Sequence, residues 1–268
     1  MKKLLCGALV LTLAACSGTG SKNTGSGSLG ALGAIGSAAA GGKASPSTDG
    51  KLAAGVDMAK AATVSEADLI GASKQMRAYE DKKRSVAPAG NKYGARLAKL
   101  TARHKNEDGM QLNFKVYLSN EVNANASPDG SVRFYSGLMD KMSDAELLGV
   151  IGHEIGHVMH KHAMAEMRTA YMASAARKGA AASGGALGVI AASDLGSMAE
   201  AVLNAQYSQA QETESDDYGL AFLQRHKYDA KAMESAFRKL GSGGGGMLSS
   251  HPDAAKRADR MRDKLTAK

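Results

Sequence analysis

Between Val150 and His162 the chain reads VIGHEIGHVMHKH, which places four of its seven histidines within ten residues. At such spacing these side chains converge only if the backbone is helical, so the stretch constrains the fold more than any other. At 100° per residue, His157 lies about 40° from His153 and one turn further along the same face, whereas His162 lies about 180° away. His160, at about 340°, shares the face but sits about 10 Å along the axis from His153, too far to share one ion. Geometry alone allows His153 with His157, or His157 with His160, as a metal-binding pair. Glu154 favours the first, because an HExxH arrangement needs a carboxylate beside the first ligand to accept a proton from the attacking water. No acid lies between His157 and His160, and His160 and His162 are read as packing or hydrogen-bonding residues.

The same segment carries its own start signal and a second stripe. Ser143-Asp144-Ala145-Glu146 is a capping box that opens the helix. Gly149, Gly152 and Gly156 fall within an arc of about 60° beside the histidines. Each glycine inside a helix costs roughly 1 kcal/mol relative to alanine, so the stripe predicts another backbone in close approach. A catalytic metal centre usually takes three protein ligands, and QAQETESDDYG (Gln209 to Gly219) supplies the downstream acid. Glu212 and Asp216 share one helix face with Ala205, Ser208, Ser215 and Gly219, while Glu214 points about 160° away from them. A face of small residues around an acid suits packing against the glycines.

Around this centre the chain changes character several times. Its start, MKKLLCGALVLTLAACSG, reads as a secretion signal over residues 1–15: two lysines, then an apolar run too short to span a bilayer, then small residues. Leu13-Ala14-Ala15-Cys16 looks like a bacterial lipobox with Cys16 as the lipidated residue, an ordinary cleavable signal being the alternative. In lipoproteins that this chain resembles, Ser17 rather than an aspartate after the cysteine implies sorting to the outer membrane, with the rest of the chain facing the periplasm. The only two cysteines are Cys6 and Cys16, so histidine and carboxylate must supply any metal site. Residues 16–50 are Gly, Ser, Ala and Thr with few large apolar groups and read as a tether. The folded domain is expected over 51–268, with N-terminal helices within about 56–104. One runs from a capping box at Ser65/Asp68 to about Arg84, and another covers Leu97 to His104.

FKVYLS (Phe114 to Ser119), VNANAS (Val122 to Ser127) and SVRFYS (Ser131 to Ser136) alternate with a strand's period, and Pro128-Asp129-Gly130 supplies a turn. The fold class is therefore α+β: mostly helical, with a small three-stranded, mostly antiparallel sheet beside the HExxH helix. Further on, 177–201 is rich in Gly, Ala and Ser and reads as close-packed helices or a mobile cover. A long helix is expected over about Glu200 to Arg225, another from Asp229 to Leu240 capped by Gly241, a flexible run over Gly243 to Gly246, and a last helix opened by His251-Pro252.

Formal charge is +8, or +6 without Lys2 and Lys3, and the basic residues are dispersed. With aromatics at 4% and not interleaved with them, nucleic acid is not an expected partner.

GHEIGHVMHKH, QETESDDYG and HPDAAKR together resemble the periplasmic zinc metallopeptidases of the LoiP and BepA type, HtpX-like gluzincins of metallopeptidase family 48. The resemblance runs from about Val86 to Arg262. YSGLMDKMSDAELLGVIGHEIGHV is similar almost throughout to LoiP-like outer-membrane lipoproteins. It implies a zincin-type domain with one zinc per chain held by His153, His157 and Glu212, with Glu154 as catalytic base. Asp216 then orients a ligand histidine, and Glu212 rather than Glu214 fits the family's ExxxD spacing. His251 and Arg257 match an HPxxxxR element whose histidine lies near the zinc and whose arginine faces the cleft. His251 either occupies the metal's open position at rest or stabilises the oxyanion of the transition state. Relatives commonly read NAFA where this chain has Asn123-Ala124-Asn125-Ala126, so an aromatic is missing at the expected substrate-binding edge.

The function this implies is an outer-membrane-anchored endopeptidase acting on unfolded, stalled or misassembled envelope proteins, with outer-membrane assembly machinery as a further partner. A second reading stays open: a chaperone-like assembly factor whose protease is latent, plugged by His251 or by 177–201.

Overall fold

The computed structural model describes residues 64–178, 192–241 and 247–267. The expected signal (1–15) and tether (16–50), the centre of the small-residue segment and the run Gly243 to Gly246 lie outside these residues. In chain order the elements are α1 (Glu66–Lys83), α2 (Lys92–Leu100), β1 (Asn106–Glu107), β2 (Met110–Gln111), β3 (Asn113–Tyr117), β4 (Ala124–Ala126), β5 (Ser131–Tyr135) and α3 (Ser136–Lys141). Then follow α4 (Asp144–Met159), α5 (His162–Lys178), α6 (Ala192–Leu203), α7 (Gln209–Arg225), α8 (Lys231–Gly241), α9 (Met247–Ser250) and α10 (Ala254–Thr266). Among the described residues, no helix is long and apolar enough to cross a membrane.

The chain is mostly helical around small sheets, as expected for its α+β class. In the three-stranded sheet the order is β3-β5-β4, with β5 antiparallel to β4 and parallel to β3. A simple meander would put β4 in the middle. Here β4 and β5 form the hairpin expected around Pro128-Asp129-Gly130, and β5 takes the centre, so its pairing with β3 is parallel. Gly130 has φ of +80°, and a Cβ there would lie 2.1 Å from the Gln111 carbonyl oxygen. β5 is buried along its whole length, and β4 is an edge strand packed beside α4.

α4 starts at Asp144 under the expected Ser143/Glu146 capping box. Glu146 through Val158 are all buried, the pattern of a helix surrounded on every side. The main core joins the sheet to α4, α7, α8 and α10, with Val116, Phe134, Ile151, Ile155, Phe222 and Phe237 among its members. A smaller core packs Leu69, Ala72 and Met76 of α1 against Met167 of α5 and Met198 of α6.

Several boundaries differ from the sequence expectation. The long helix expected over Glu200 to Arg225 is two, α6 and α7, because Ser208 and Gln211 form a capping box that restarts the helix. Ala205 and Ser208 are therefore not on the α7 face. α2 begins earlier than Leu97, capped by Asn91, and ends at Leu100. Gly241 is the last helical residue of α8 rather than a left-handed cap. α10 starts after Pro252, with Asp253 at its N-cap in the left-handed region (φ +60°).

Candidate metal centre

The two helices that carry the candidate ligands meet at small residues. A Cβ on Gly152 would lie 3.1 Å from Gly219 Cα, and one on Gly156 would lie 2.9 Å from the Cα and carbonyl oxygen of Ser215. Gly149 faces the backbone of Met233 on α8 at 3.3 Å. The glycine stripe thus lets α7 and α8 pack directly against α4, and α7 brings Glu212 to the histidines.

His153, His157 and Glu212 converge, joined by His251. The Nε2 atoms of His153 and His157 are 3.0 Å apart, and His157 Nε2 is 3.4 Å from Glu212 Oε1. His251 Nδ1 lies 3.2 Å from His153 Nε2 and 2.9 Å from Glu212 Oε1. Two atoms each bound about 2.05 Å from one ion at the tetrahedral angle are about 3.3 Å apart, so these spacings fit a four-coordinate divalent metal. All four residues are buried. A neutral imidazole is the form that ligates, and burial drives the His157 pKa well below its ordinary value. Burial alone would raise Glu212, but the nearby His251 charge and hydrogen bonds from His157 and His251 hold it far below the usual carboxylate range. His251 shows the reverse balance: burial lowers it, and Glu212 more than compensates.

Glu154 is 1% exposed, and among the described residues its Oε1 has no hydrogen-bond partner, only His251 Nε2 at 3.8 Å. Burial raises its pKa, which suits a group that must take up a proton. Asp216 Oδ1 lies 2.9 Å from His153 Nδ1, a contact that leaves Nε2 as the ring nitrogen free to face a metal. Arg257 clamps Asp216 with two hydrogen bonds of 2.6 and 2.9 Å, pairs with Glu212 and lies over the Phe237 ring at 4.2 Å. Burial raises the Asp216 pKa, but the Arg257 charge and the bond to His153 outweigh it and keep it low.

His251 reaches the cluster from a tied segment. Met247 N–H donates to Val122 O at 2.9 Å, His251 N–H to Met247 O at 2.8 Å, and Tyr207 N–H to Ser250 O at 3.1 Å. The expected substrate edge, Asn123 to Ala126, begins beside the same Val122. Asn125, in the place of the missing aromatic, accepts from Arg77 Nη2 at 2.9 Å, so that position is polar and fixed.

Two contacts with His157 were not anticipated. His162 does not point away: α4 ends at Met159, Lys161 takes a left-handed conformation (φ +60°), and the His162 ring returns to within 3.2 Å of His157 Nδ1. His160 is exposed, as a residue outside the centre should be. The Tyr207 ring lies over His157, with centroids 3.9 Å apart. Tyr207 sits in the break between α6 and α7, which a continuous helical pattern conceals; the Ser208/Gln211 box is the signal that would have exposed it.

A second histidine–acid group among the described residues, His104, Glu107 and His226, satisfies itself. Glu107 Oε1 is 2.5 Å from His104 Nδ1 and 3.1 Å from His226 Nε2, Arg225 pairs with Glu107 at 3.3 Å, and His104 Nε2 meets the Tyr228 hydroxyl at 2.9 Å. It ties the turn after α2 to the end of α7.

The profile of peptidase family M48 matches residues 91–265. The chain is 40% identical to the metalloprotease YcaL and 38% identical to the metalloprotease LoiP, both of Escherichia coli K12. Each alignment spans 225 residues, 82% of this chain and 89% of the relative. A putative beta-barrel assembly-enhancing protease of Vibrio cholerae is 31% identical over 161 residues, 57% of this chain and 33% of that protein. Since the matched span carries both helices that build the centre, and the two E. coli relatives align along most of their length, the chain belongs to peptidase family M48 and is a metalloprotease.

Proposed function

We propose that this metalloprotease is a zinc endopeptidase, anchored through lipid on Cys16 to the outer membrane and facing the periplasm, that hydrolyses misfolded or stalled envelope proteins. The observation that carries the chemistry is the convergence of His153 Nε2, His157 Nε2 and Glu212 Oε1 beside the buried Glu154, whose Oε1 accepts no hydrogen bond among the described residues and faces His251 Nε2 at 3.8 Å. Zinc held by these three residues supplies Lewis acidity toward the attacking water and the scissile carbonyl. Glu154 accepts a proton from the water and delivers it to the leaving amine. Asp216 accepts a hydrogen bond from His153 Nδ1–H, which leaves Nε2 as the nitrogen that would hold the metal, while Arg257 balances the charge of Asp216 and Glu212. An extended segment of substrate adds to the open edge of β4 at Asn123 to Ala126, which suits unfolded chains.

The envelope assignment rests on the lipobox-like Cys16 context and on the similarity to a putative beta-barrel assembly-enhancing protease. Zinc content and cleavage of unfolded casein, compared between wild type and Glu154→Gln, test the chemistry. The variant is expected to keep one zinc per chain and lose most turnover, and near-wild-type cleavage would sink the mechanism.

A second reading, a latent or chaperone-like state, is favoured by one observation: His251 Nδ1 lies 3.2 and 2.9 Å from two ligand atoms, where a fourth ligand would exclude substrate. We favour His251 as a resting block on a working protease.

A further inference from the structure

The role of His162 and Glu214 is not accounted for by the ligands and the base. His157 ligates through Nε2, which leaves its ring proton on Nδ1 and in need of an acceptor. His153 has Asp216 for that purpose. Among the described residues the contact at His157 Nδ1 is not a carboxylate but His162 Nδ1 at 3.2 Å, and His162 Nε2 is 2.9 Å from Glu214 Oε2. The tautomers follow in one direction only. A His157 that donates from Nδ1 requires an unprotonated His162 Nδ1, which puts the His162 proton on Nε2, where the Glu214 carboxylate accepts it.

The turn that ends α4 makes this contact possible. A continuous α4 would turn His162 about 140° from His157. Instead the helix ends at Met159 with His160 as its C-cap, Lys161 adopts φ of +60°, and α5 starts with His162 itself. A left-handed non-glycine residue costs roughly 1–2 kcal/mol. His162 ends 5% exposed, with Ser215 Oγ 3.2 Å from the same Nδ1, while the Glu214 side chain is 56% exposed.

We propose that His162 and Glu214 form a positioning relay for the metal ligand His157, the counterpart of Asp216 for His153. This rests on the reading of His153, His157 and Glu212 as the zinc site. Glu214, on the side of α7 away from Glu212, thereby acts through two rings and never touches the metal. A histidine–carboxylate relay orients His157 without placing another buried charge beside Glu212.

The test measures zinc affinity of the full chain by competition with a chromophoric chelator, with folding followed by circular dichroism, in wild type, Glu214→Ala, Glu214→Gln, His162→Phe and the double variant His162→Phe/Glu214→Ala. Removing a ligand's hydrogen-bond partner typically costs 10–100-fold in metal affinity. His162→Phe, which keeps ring volume and removes the acceptor, is expected in that range. Glu214→Ala is expected at about tenfold, because its exposed carboxylate is partly replaced by water, and Glu214→Gln retains an acceptor oxygen and recovers most of the loss. The decisive result is coupling: Glu214→Ala should cost nothing further once His162 is phenylalanine. Wild-type affinity in both Glu214→Ala and folded His162→Phe, or an equal Glu214→Ala loss with and without His162, overturns the relay. Should His162→Phe not fold, the Glu214 pair decides alone, with no loss in alanine, or equal losses in alanine and glutamine, counting against it. Failure of wild type itself to bind zinc would refute the underlying site and is read separately.

Discussion

Alanine at Gly156 tests whether backbone contact between α4 and α7 sets the metal geometry. Its Cβ would stand 2.9 Å from the Cα and the carbonyl oxygen of Ser215, and 3.2 Å from the Tyr218 Cβ. Two of these atoms are backbone, so no rotamer change relieves the clash, and reaching ordinary contact at 3.4 Å requires the helices to part by about 0.5 Å. Two effects oppose each other. Alanine is preferred to glycine inside a helix by about 1 kcal/mol, whereas overpacking costs about 1–3 kcal/mol. With backbone against backbone the upper half of that range applies, leaving a net loss of about 1–2 kcal/mol. For a domain of this size that lowers Tm by about 2–8 °C. The same parting displaces Glu212, three residues before Ser215, from the histidines of α4, so zinc affinity should fall as well. Gly71→Ala in α1 is the control: nothing lies within 4 Å of its Cβ, and it should gain about 0.4–1 kcal/mol. Thermal melts and chelator competition on both variants decide the matter. A Gly156→Ala protein at least as stable as wild type with unchanged zinc affinity would refute the close-approach argument.

Acid should weaken the start of α4. Burial raises the Glu146 pKa, but Lys239, Ser235 and the Ser143 N–H hold it at about 2 against an ordinary 4.5. A carboxyl lowered by folding contributes stability that is complete above the unfolded pKa and lost as pH falls through the folded one. The wild type should therefore lose up to about 3 kcal/mol between about pH 4.5 and 2, and Glu146→Gln should be less stable at neutral pH with a flatter acid limb in urea titrations. An unchanged limb in the variant would count against this. His251→Ala should raise casein cleavage if His251 blocks the metal, and a drop of about tenfold or more would instead assign it to the oxyanion. Arg257→Ala should lower turnover in either case, since Asp216 and Glu212 both lose their counter-charge. For the anchor, Cys16→Ala exported by a lipoprotein-independent signal should leave the outer-membrane fraction, and its retention there would refute lipid anchoring.

What was legible in the sequence follows from how far each signal reaches along the chain. The capping boxes at Ser65 and Ser143 are contained within four residues, and both helices start where those residues say. The pairing of His153 with His157 was legible for the same reason, since one helical turn relates them. The glycine stripe reported a neighbour without naming it, and Ser215, Gly219 and Met233 supply the answer. Strand periodicity located β3, β4 and β5, but their order is a matter of pairing between distant segments, and no local pattern puts β5 in the centre.

The surroundings of His157 show where spacing stops being informative. Angular arithmetic holds only while the helix continues, and it fails at two breaks. The left-handed Lys161 turns His162 back toward His157, and the Ser208 box ends the helical run that would have hidden Tyr207 on a wheel. Both breaks deliver a ring to His157 from outside its helix, at 3.2 Å edge-on and 3.9 Å between ring centroids. A helix can present two ligands to an ion with its own periodicity, but the same periodicity places no third side chain behind the second ligand, because the positions one turn on point along the ligand face rather than around it. Groups that hold such a ligand from behind must come from beyond a break, as His162 does after Lys161 and Tyr207 does before the Ser208 box.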